Sequence, residues 1–143
     1  MMRQNNGQIA AFVSIHAYSQ FWMSPYGYSS NYPRDYDDHM RVMKKSVSAL
    51  ESMYGTKFEY GPISKIIYVA YGSSVDWAYD SGIKYSFGLE LRDSKVGGYG
   101  FLLPQVDTIV SKKVCDKLTK FVCSFSPTFL NYLIVDVSER TQS

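Results

Sequence analysis

Hydrophobic and polar residues alternate most strictly between positions 82 and 93. Tyr85, Phe87, Leu89 and Leu91 take one parity; Lys84, Ser86, Gly88, Glu90 and Arg92 take the other. A period of two in an aromatic-rich run, bounded by Gly82 and by Asp93-Ser94, predicts a β-strand with one strongly apolar face. A carboxylate near the end of such a strand, Glu90, stands at the rim of a sheet, where open α/β sheets receive ligands. The plainer alternative is a solvated glutamate on an edge strand. Residues 9–15 form a nearly continuous apolar run, the pattern of a strand buried on both faces, and the run ends on His16. Residues 17–34 shift to Tyr, Ser, Pro, Gly and Asn and read as a long surface loop.

Helical spacing takes over from about residue 35 to residue 54, where Met40, Met43, Val47, Leu50 and Tyr54 make an apolar stripe. Asp35, Asp37 and Asp38 fall where the helix dipole favours carboxylates, and Gly55 stands where a left-handed C-terminal cap is wanted. Residues 57–60 predict a short strand stopped by Gly61-Pro62. Residues 63–72 are apolar and end in Gly72-Ser73-Ser74, with Ser74 the expected N-cap of a short helix over 75–81 that Gly82 closes. A glycine-rich loop over 95–100 leads to Phe101-Leu102-Leu103-Pro104. Beyond it Val106, Ile109, Val110, Val114, Leu118, Phe121 and Val122 return to helical spacing, and the β-branched run 129–137 predicts one more strand. Strands alternate with helices without an internal repeat, so the class is α/β in one domain.

Composition narrows the partners. With 143 residues, 45% hydrophobic and 20% charged, the chain is globular in character. A formal charge of +2, without a Lys/Arg cluster interleaved with aromatics, argues against nucleic acid and against an anionic membrane surface. No apolar run reaches the length of a membrane span, and residues 1–8 hold no apolar core of a secretory signal. Cys115 and Cys123 are about two helical turns apart, beyond disulfide reach, and read as free thiols. Of the two histidines, His39 lies among charged residues at the start of the long helix and reads as surface or partly buried. His16 closes a buried strand and opens a loop, the position of a ligand or acid/base residue as well as of an ordinary structural histidine. No His-x-x-Glu, His-x-x-x-His, Gly-x-Ser-x-Gly or phosphate-binding glycine loop is present.

Three blocks carry more information together than apart. Ser14-Ile15-His16-Ala17-Tyr18-Ser19-Gln20 followed by Ser24-Pro25-Tyr26-Gly27-Tyr28 resembles the zinc-ligand strand and loop of the metallocarboxypeptidase A/B family. Ile67-Tyr68-Val69-Ala70-Tyr71-Gly72-Ser73-Ser74-Val75-Asp76-Trp77-Ala78-Tyr79 resembles that family's tyrosine loop and specificity segment. Gly82-Ile83-Lys84-Tyr85-Ser86-Phe87, Leu89-Glu90-Leu91-Arg92-Asp93 and Tyr99-Gly100-Phe101-Leu102-Leu103-Pro104 resemble its catalytic-glutamate strand. Order and spacing agree from about Gly7 to Pro104.

The resemblance implies a mixed sheet flanked by helices, a carboxypeptidase-like α/β/α sandwich that is incomplete here. Residues 1–104 would be the C-terminal half of the catalytic domain, and 105–143 a closing helix with a divergent tail. His16 would be the third ligand of a Zn2+ ion and Glu90 the general base that deprotonates its water, whose pKa zinc lowers towards about 7. Tyr68 would close over the substrate's terminal carboxylate, and Tyr18 would line the pocket near the scissile bond. Ile63, Ile67, Val75 and Gly88 match positions lining the specificity pocket. An Asp at 75 would select Lys or Arg; Val75, with Gly88 adding room, implies peptide or protein C-termini ending in neutral aliphatic or aromatic residues. The resemblance also implies non-proline cis peptide bonds at Ala17-Tyr18, Pro25-Tyr26 and Arg92-Asp93, and an extracellular, secreted setting.

The likeness also has gaps. The His-x-x-Glu that would supply the other two zinc ligands has no match in these residues, nor do the Arg and Asn-Arg that hold the substrate carboxylate. One imidazole does not hold catalytic zinc, which needs about three protein ligands. The alternative reading is therefore a truncated, catalytically inactive carboxypeptidase-like fragment. Half a domain is also expected to leave the strand at 9–15 as an exposed hydrophobic edge, and the polypeptide marginal or aggregation-prone.

Overall fold

The computed structural model describes residues 9–93, Gly98 and the backbone of residues 133–137. The loop expected over 95–100 (Gly98 apart), the segment 101–104, the helix expected over 107–123 with both cysteines, and residues 129–132 of the last expected strand lie outside the described residues.

The elements are β1 (Ala11–Ala17), β2 (Phe21–Ser24), α1 (Tyr36–Tyr54), β3 (Glu59–Pro62), α2 (Ile63–Ile66), α3 (Ser74–Asp80), β4 (Tyr85–Leu91) and β5 (Leu133–Val137). They build one sheet in the order β3-β2-β4-β1-β5. β1 runs parallel to both β4 and β5, β2 runs parallel to β3, and β2 meets β4 antiparallel, so the sheet is mixed.

Both faces of this sheet are covered, as the apolar run of β1 requires. Ala11, Val13 and Ile15 join Trp22, Phe87, Leu89 and the α1 residues Val42, Met43, Val47 and Leu50 in one core. Phe12 on the opposite parity joins Phe21, Met23, Ile63, Val75, Ala78 and Ile83 in a second core under α2 and α3. The alternation of β4 follows the same rule: Phe87 and Leu89 go to the α1 side, which leaves Ser86, Gly88 and Glu90 on the other.

Four local expectations change. The stretch 17–34 is not all surface loop, because Phe21-Trp22-Met23 forms the buried interior of β2, with Trp22 edge-on to Phe87 at 6.0 Å. Gly61-Pro62 does not stop β3 but ends it from within. Proline is tolerated at the last residue of a strand whose described neighbour lies on one side only. The cap of α3 is Ser73, whose hydroxyl accepts the Val75 N–H at 3.2 Å, so Ser74 is the first helical residue. The strand at 9–15 is not an edge, because β5 pairs along it from Ala11 to Ile15. Gly55 does cap α1 in the left-handed conformation, at φ 65°, with its N–H on Glu51 O.

His39 is the fifth correction: it is fully buried. The helix turns it inward onto Tyr79, Tyr85 and Phe87, with ring centroids 5.4–6.5 Å away. Its Nε2 lies 2.7 Å from Lys84 O. A carbonyl only accepts, so Nε2 carries the proton. Nδ1 has no hydrogen-bond partner among the described residues, and a second proton there would be buried without an acceptor. Burial accordingly pushes the imidazole below its usual range, against the Lys84 carbonyl and the carboxylates of Asp35 and Asp38, which favour the charged ring. Those carboxylates are occupied by Lys84, which bridges Asp35 at 3.3 Å and also pairs with Asp38, while Tyr79 Oη donates to Asp35 at 2.8 Å. Asp35 is pushed up by burial but held low on balance by Tyr79 and Lys84; Asp38 is held low by Lys84 and Arg41.

A depressed histidine stabilises the fold above the unfolded-state value of about 6.5, and that contribution is lost as pH falls below it. Asp35 and Asp38 are depressed carboxylates, so their contribution is lost only below about pH 4. The midpoint of urea unfolding, followed by circular dichroism, is therefore expected to drop between pH 7 and 5. His39→Gln keeps a donor for Lys84 O and should flatten that drop; an unchanged slope would assign it to another group.

Candidate active site

The parallel register of β1 and β4 sets His16 directly opposite Glu90. Register partners on adjacent strands are roughly 5 Å apart and point to the same face. Phe21 of β2 is the partner of Glu90 on its other side, so one row across the sheet reads His16, Glu90, Phe21. The row beneath reads Ser14, Gly88, Met23. Ser14 and Gly88 are buried, whereas His16 and Glu90 are half-buried and Ala17 is exposed. The pair thus stands where the strands emerge from the core. Ser14 Oγ and His16 Nε2 share a hydrogen bond of 2.8 Å, which ties one ring nitrogen to a hydroxyl set in the core.

The rim is closed by the chain leaving β1. Ser19 and Gln20 N–H both donate to Leu91 O, at 3.0 and 3.1 Å, folding this link over the end of β4. Tyr18 lies in the link, half-buried. Ala17-Tyr18 and Arg92-Asp93 are cis at this rim, and Pro25-Tyr26 is cis in the next loop, the three positions expected.

Beside the pair lies the apolar wall of α2 and α3. Val75 and Ile63 are buried there with Met23 and Phe12. A Cβ built on Gly88 would stand 3.3 Å from Val75 Cγ2 and 3.9 Å from Met23 Cε. The space that Gly88 leaves is therefore shared with Val75, which rests over it. Ile67 and Tyr68 are not gathered in: they sit on the exposed segment after α2, with Tyr68 68% exposed.

Asp76 was not foreseen. It is buried, and its carboxylate accepts the Gly27 N–H at 2.9 Å to each oxygen and the Tyr28 N–H at 3.0 Å. Burial pushes its carboxyl up, opposed by these two N–H donors. Ala70 N–H donates to Gly27 O at 2.9 Å and Ser64 N–H to Tyr26 O at 3.0 Å, so the loop after β2 is stitched to both helices of the wall. Gly27 eases this close approach: a Cβ would stand 3.1 Å from Ala70 O and 3.2 Å from Asp76 Oδ2 and Ile63 Cγ2, so these neighbours would have to give by a few tenths of an ångström. An acid next to Val75 in the first turn of a capped helix was the one signal available, and it reads equally as a helix-dipole residue.

No three His, Cys, Asp or Glu side chains among the described residues are placed to hold a metal ion. His16 with Glu90 alone does not fit a catalytic zinc site. No described helix is long and apolar enough to cross a membrane.

Residues 1–114 match the zinc carboxypeptidase family. The chain is 54% identical to carboxypeptidase A1 of Sus scrofa over 100 residues, 70% of this chain and 23% of that protein. It is 53% identical to carboxypeptidase A1 of Homo sapiens over 110 residues, 77% of this chain and 26% of that protein. It therefore spans about a quarter of the length of the curated relatives it matches. The solved structure of thrombin activatable fibrinolysis inhibitor superposes with a TM-score of 0.76 at 37% identity, covering 82% of this chain and 29% of that one.

Asp76→Ala would strand the buried N–H groups of Gly27 and Tyr28. We expect it to lower the free energy of unfolding by roughly 2–4 kcal/mol, measured in urea, whereas a loss under about 0.5 kcal/mol would mean that water replaces the carboxylate.

Proposed function

The chain belongs to the zinc carboxypeptidase family, and from that premise we propose that it is the C-terminal half of a carboxypeptidase catalytic domain acting on peptide and protein C-termini. The observation that carries this reading is the His16–Glu90 row at the open end of two adjacent parallel strands. An imidazole, a group of the kind that ligates zinc, is tied back by Ser14 and stands beside a carboxylate, a group of the kind that moves protons, next to an apolar wall. Glu90 takes the role of general base, His16 that of one zinc donor, and Tyr18 and Tyr68 that of substrate contacts. We take residues 1–104 as the part that carries the site and 105–143 as a closing helix with a divergent tail, the family match running on to residue 114.

Zinc when bound would supply Lewis-acid chemistry. Since the sequence holds no His-x-x-Glu, and no three suitable side chains among the described residues are placed for a metal, we propose that the other donors come from outside these 143 residues. The 143-residue polypeptide alone is inactive on this reading. Val75, buried at 3% exposure and packed against the space over Gly88, supports a neutral pocket for aliphatic or aromatic terminal residues, in line with the A-type relatives. The setting is extracellular by the same family argument.

In the native protein that carries this segment, Glu90→Gln is expected to slow release of C-terminal phenylalanine by roughly 10²–10⁴-fold with zinc content unchanged. Full activity in that variant would remove Glu90 from the mechanism. Val75→Asp is expected to shift preference towards C-terminal lysine and arginine. The 143-residue polypeptide by itself should retain no stoichiometric zinc after dialysis; zinc retention with peptidase activity would overturn the inactive reading.

A further inference from the structure

The two sides of the sheet are unlike. On one side stands β3, four residues long, with Glu59 exposed and Pro62 at its end, a strand suited to an edge. On the other stands β1, whose residues Ala11 to Ile15 are all buried, flanked on its outer side by β5. A strand apolar on both faces is an interior strand, and left open it would offer a template for any passing chain. Yet β5 starts at Leu133, beyond the family match, which ends at residue 114.

The chemistry of β5 follows that of β1 position by position. The register pairs Ala11 with Leu133, Phe12 with Ile134, Val13 with Val135, Ser14 with Asp136 and Ile15 with Val137. Four apolar residues oppose four apolar residues, and the one acid falls in the row of the one hydroxyl. A slip by one residue would set Asp136 in the row of Val13 or of Ile15, both in the α1-side core. The pairing ends at Ile15↔Val137, one row short of His16.

We infer that residues 133–137 are a built-in complementing strand. They cover the β1 edge in cis, in the register Ala11↔Leu133 to Ile15↔Val137, and move the outer edge of the described sheet from β1 to β5. Any other strand that pairs with the outer side of β1 has to displace β5. The inference is independent of zinc and of peptidase activity.

Two experiments on the full chain test it. In the first, Cys115 and Cys123 are replaced by serine and paired cysteines are introduced. Val13→Cys with Val135→Cys stands in register, with Cα atoms within disulfide reach; Val13→Cys with Ile134→Cys puts the two Cβ atoms on opposite faces. The in-register pair is expected to form an intramolecular disulfide on oxidative refolding, in at least about tenfold better yield than the offset pair. Equal yields, or a better yield for the offset pair, would overturn the assignment. In the second, hydrogen exchange of the β1 amides is compared with that of Val135→Pro, which breaks the strand. Exchange over residues 11–15 should rise at least about tenfold, with the variant self-associating on size exclusion. A monomeric variant with unchanged β1 exchange would overturn the inference. If the proline variant unfolds throughout, the disulfide comparison decides.

Discussion

The parallel ladder between β1 and β4, running from Ala11↔Tyr85 to Ala17↔Leu91, is the constraint on which the rest of the molecule depends. Side chains on a strand alternate with period two, so a fixed register divides both strands at once. Ala11, Val13, Ile15, Tyr85, Phe87, Leu89 and Leu91 go to α1, and the residues of the other parity go to the face of α2 and α3. His16 and Glu90 share that second face only because the register is in phase. A one-residue slip would bring the acid round to the α1 side and set His16 beside leucine rather than glutamate. The site is therefore held by hydrophobic sorting several residues away from it. Phe87 and Leu89, fully buried, keep Glu90 where it is.

Legibility in the sequence followed the length and self-consistency of each pattern. The stripe of α1 spans five turns with acids at one end and Gly55 at the other, and its bounds are those expected within a residue. The alternation of β4 was equally plain. β2 was hidden because Phe21-Trp22-Met23 is too short for a period to show, and tyrosines, prolines and glycines with ordinary turn chemistry surround it. His39 was misplaced for a different reason. Its neighbours in sequence, Asp37, Asp38 and Arg41, point outward, while a helix carries residue 39 to the other side of the cylinder, onto three aromatic rings. Asp76 was beyond reach because its partners, Gly27 and Tyr28, lie nearly fifty residues upstream, and no local rule connects them.

The candidate site itself was legible as a set of residues and not as an arrangement. That His16 and Glu90 meet is a consequence of register, and register is a tertiary fact. The likeness to carboxypeptidases supplied the residues, but three features of their setting come from the fold. Ser14 anchors the imidazole from a buried position. The link through Ser19 and Gln20 is clamped on Leu91 O. Gly88 and Val75 divide one volume between them, so that neither can grow without moving the other. Asp76 adds a fourth, because its carboxylate carries its charge into the base of the loop and compensates it there with backbone N–H donors instead of a basic side chain.

The part of the fold that no family pattern covers bears on all of this. His16 sits at the end of β1, and its position is only as well defined as that strand. Were β1 an open edge, the ladder with β4 would have solvent on its far side, and fraying would begin at the residues that set His16 opposite Glu90. With β5 alongside as far as Ile15, the strand is internal up to the row before the histidine. The stiffness of the candidate site on the β1 side then derives from five residues outside the family match, while on the β4 side it derives from β2 and Phe21 within it. The His16–Glu90 row of the candidate site is held from both flanks, and only one of those flanks lies within the family match.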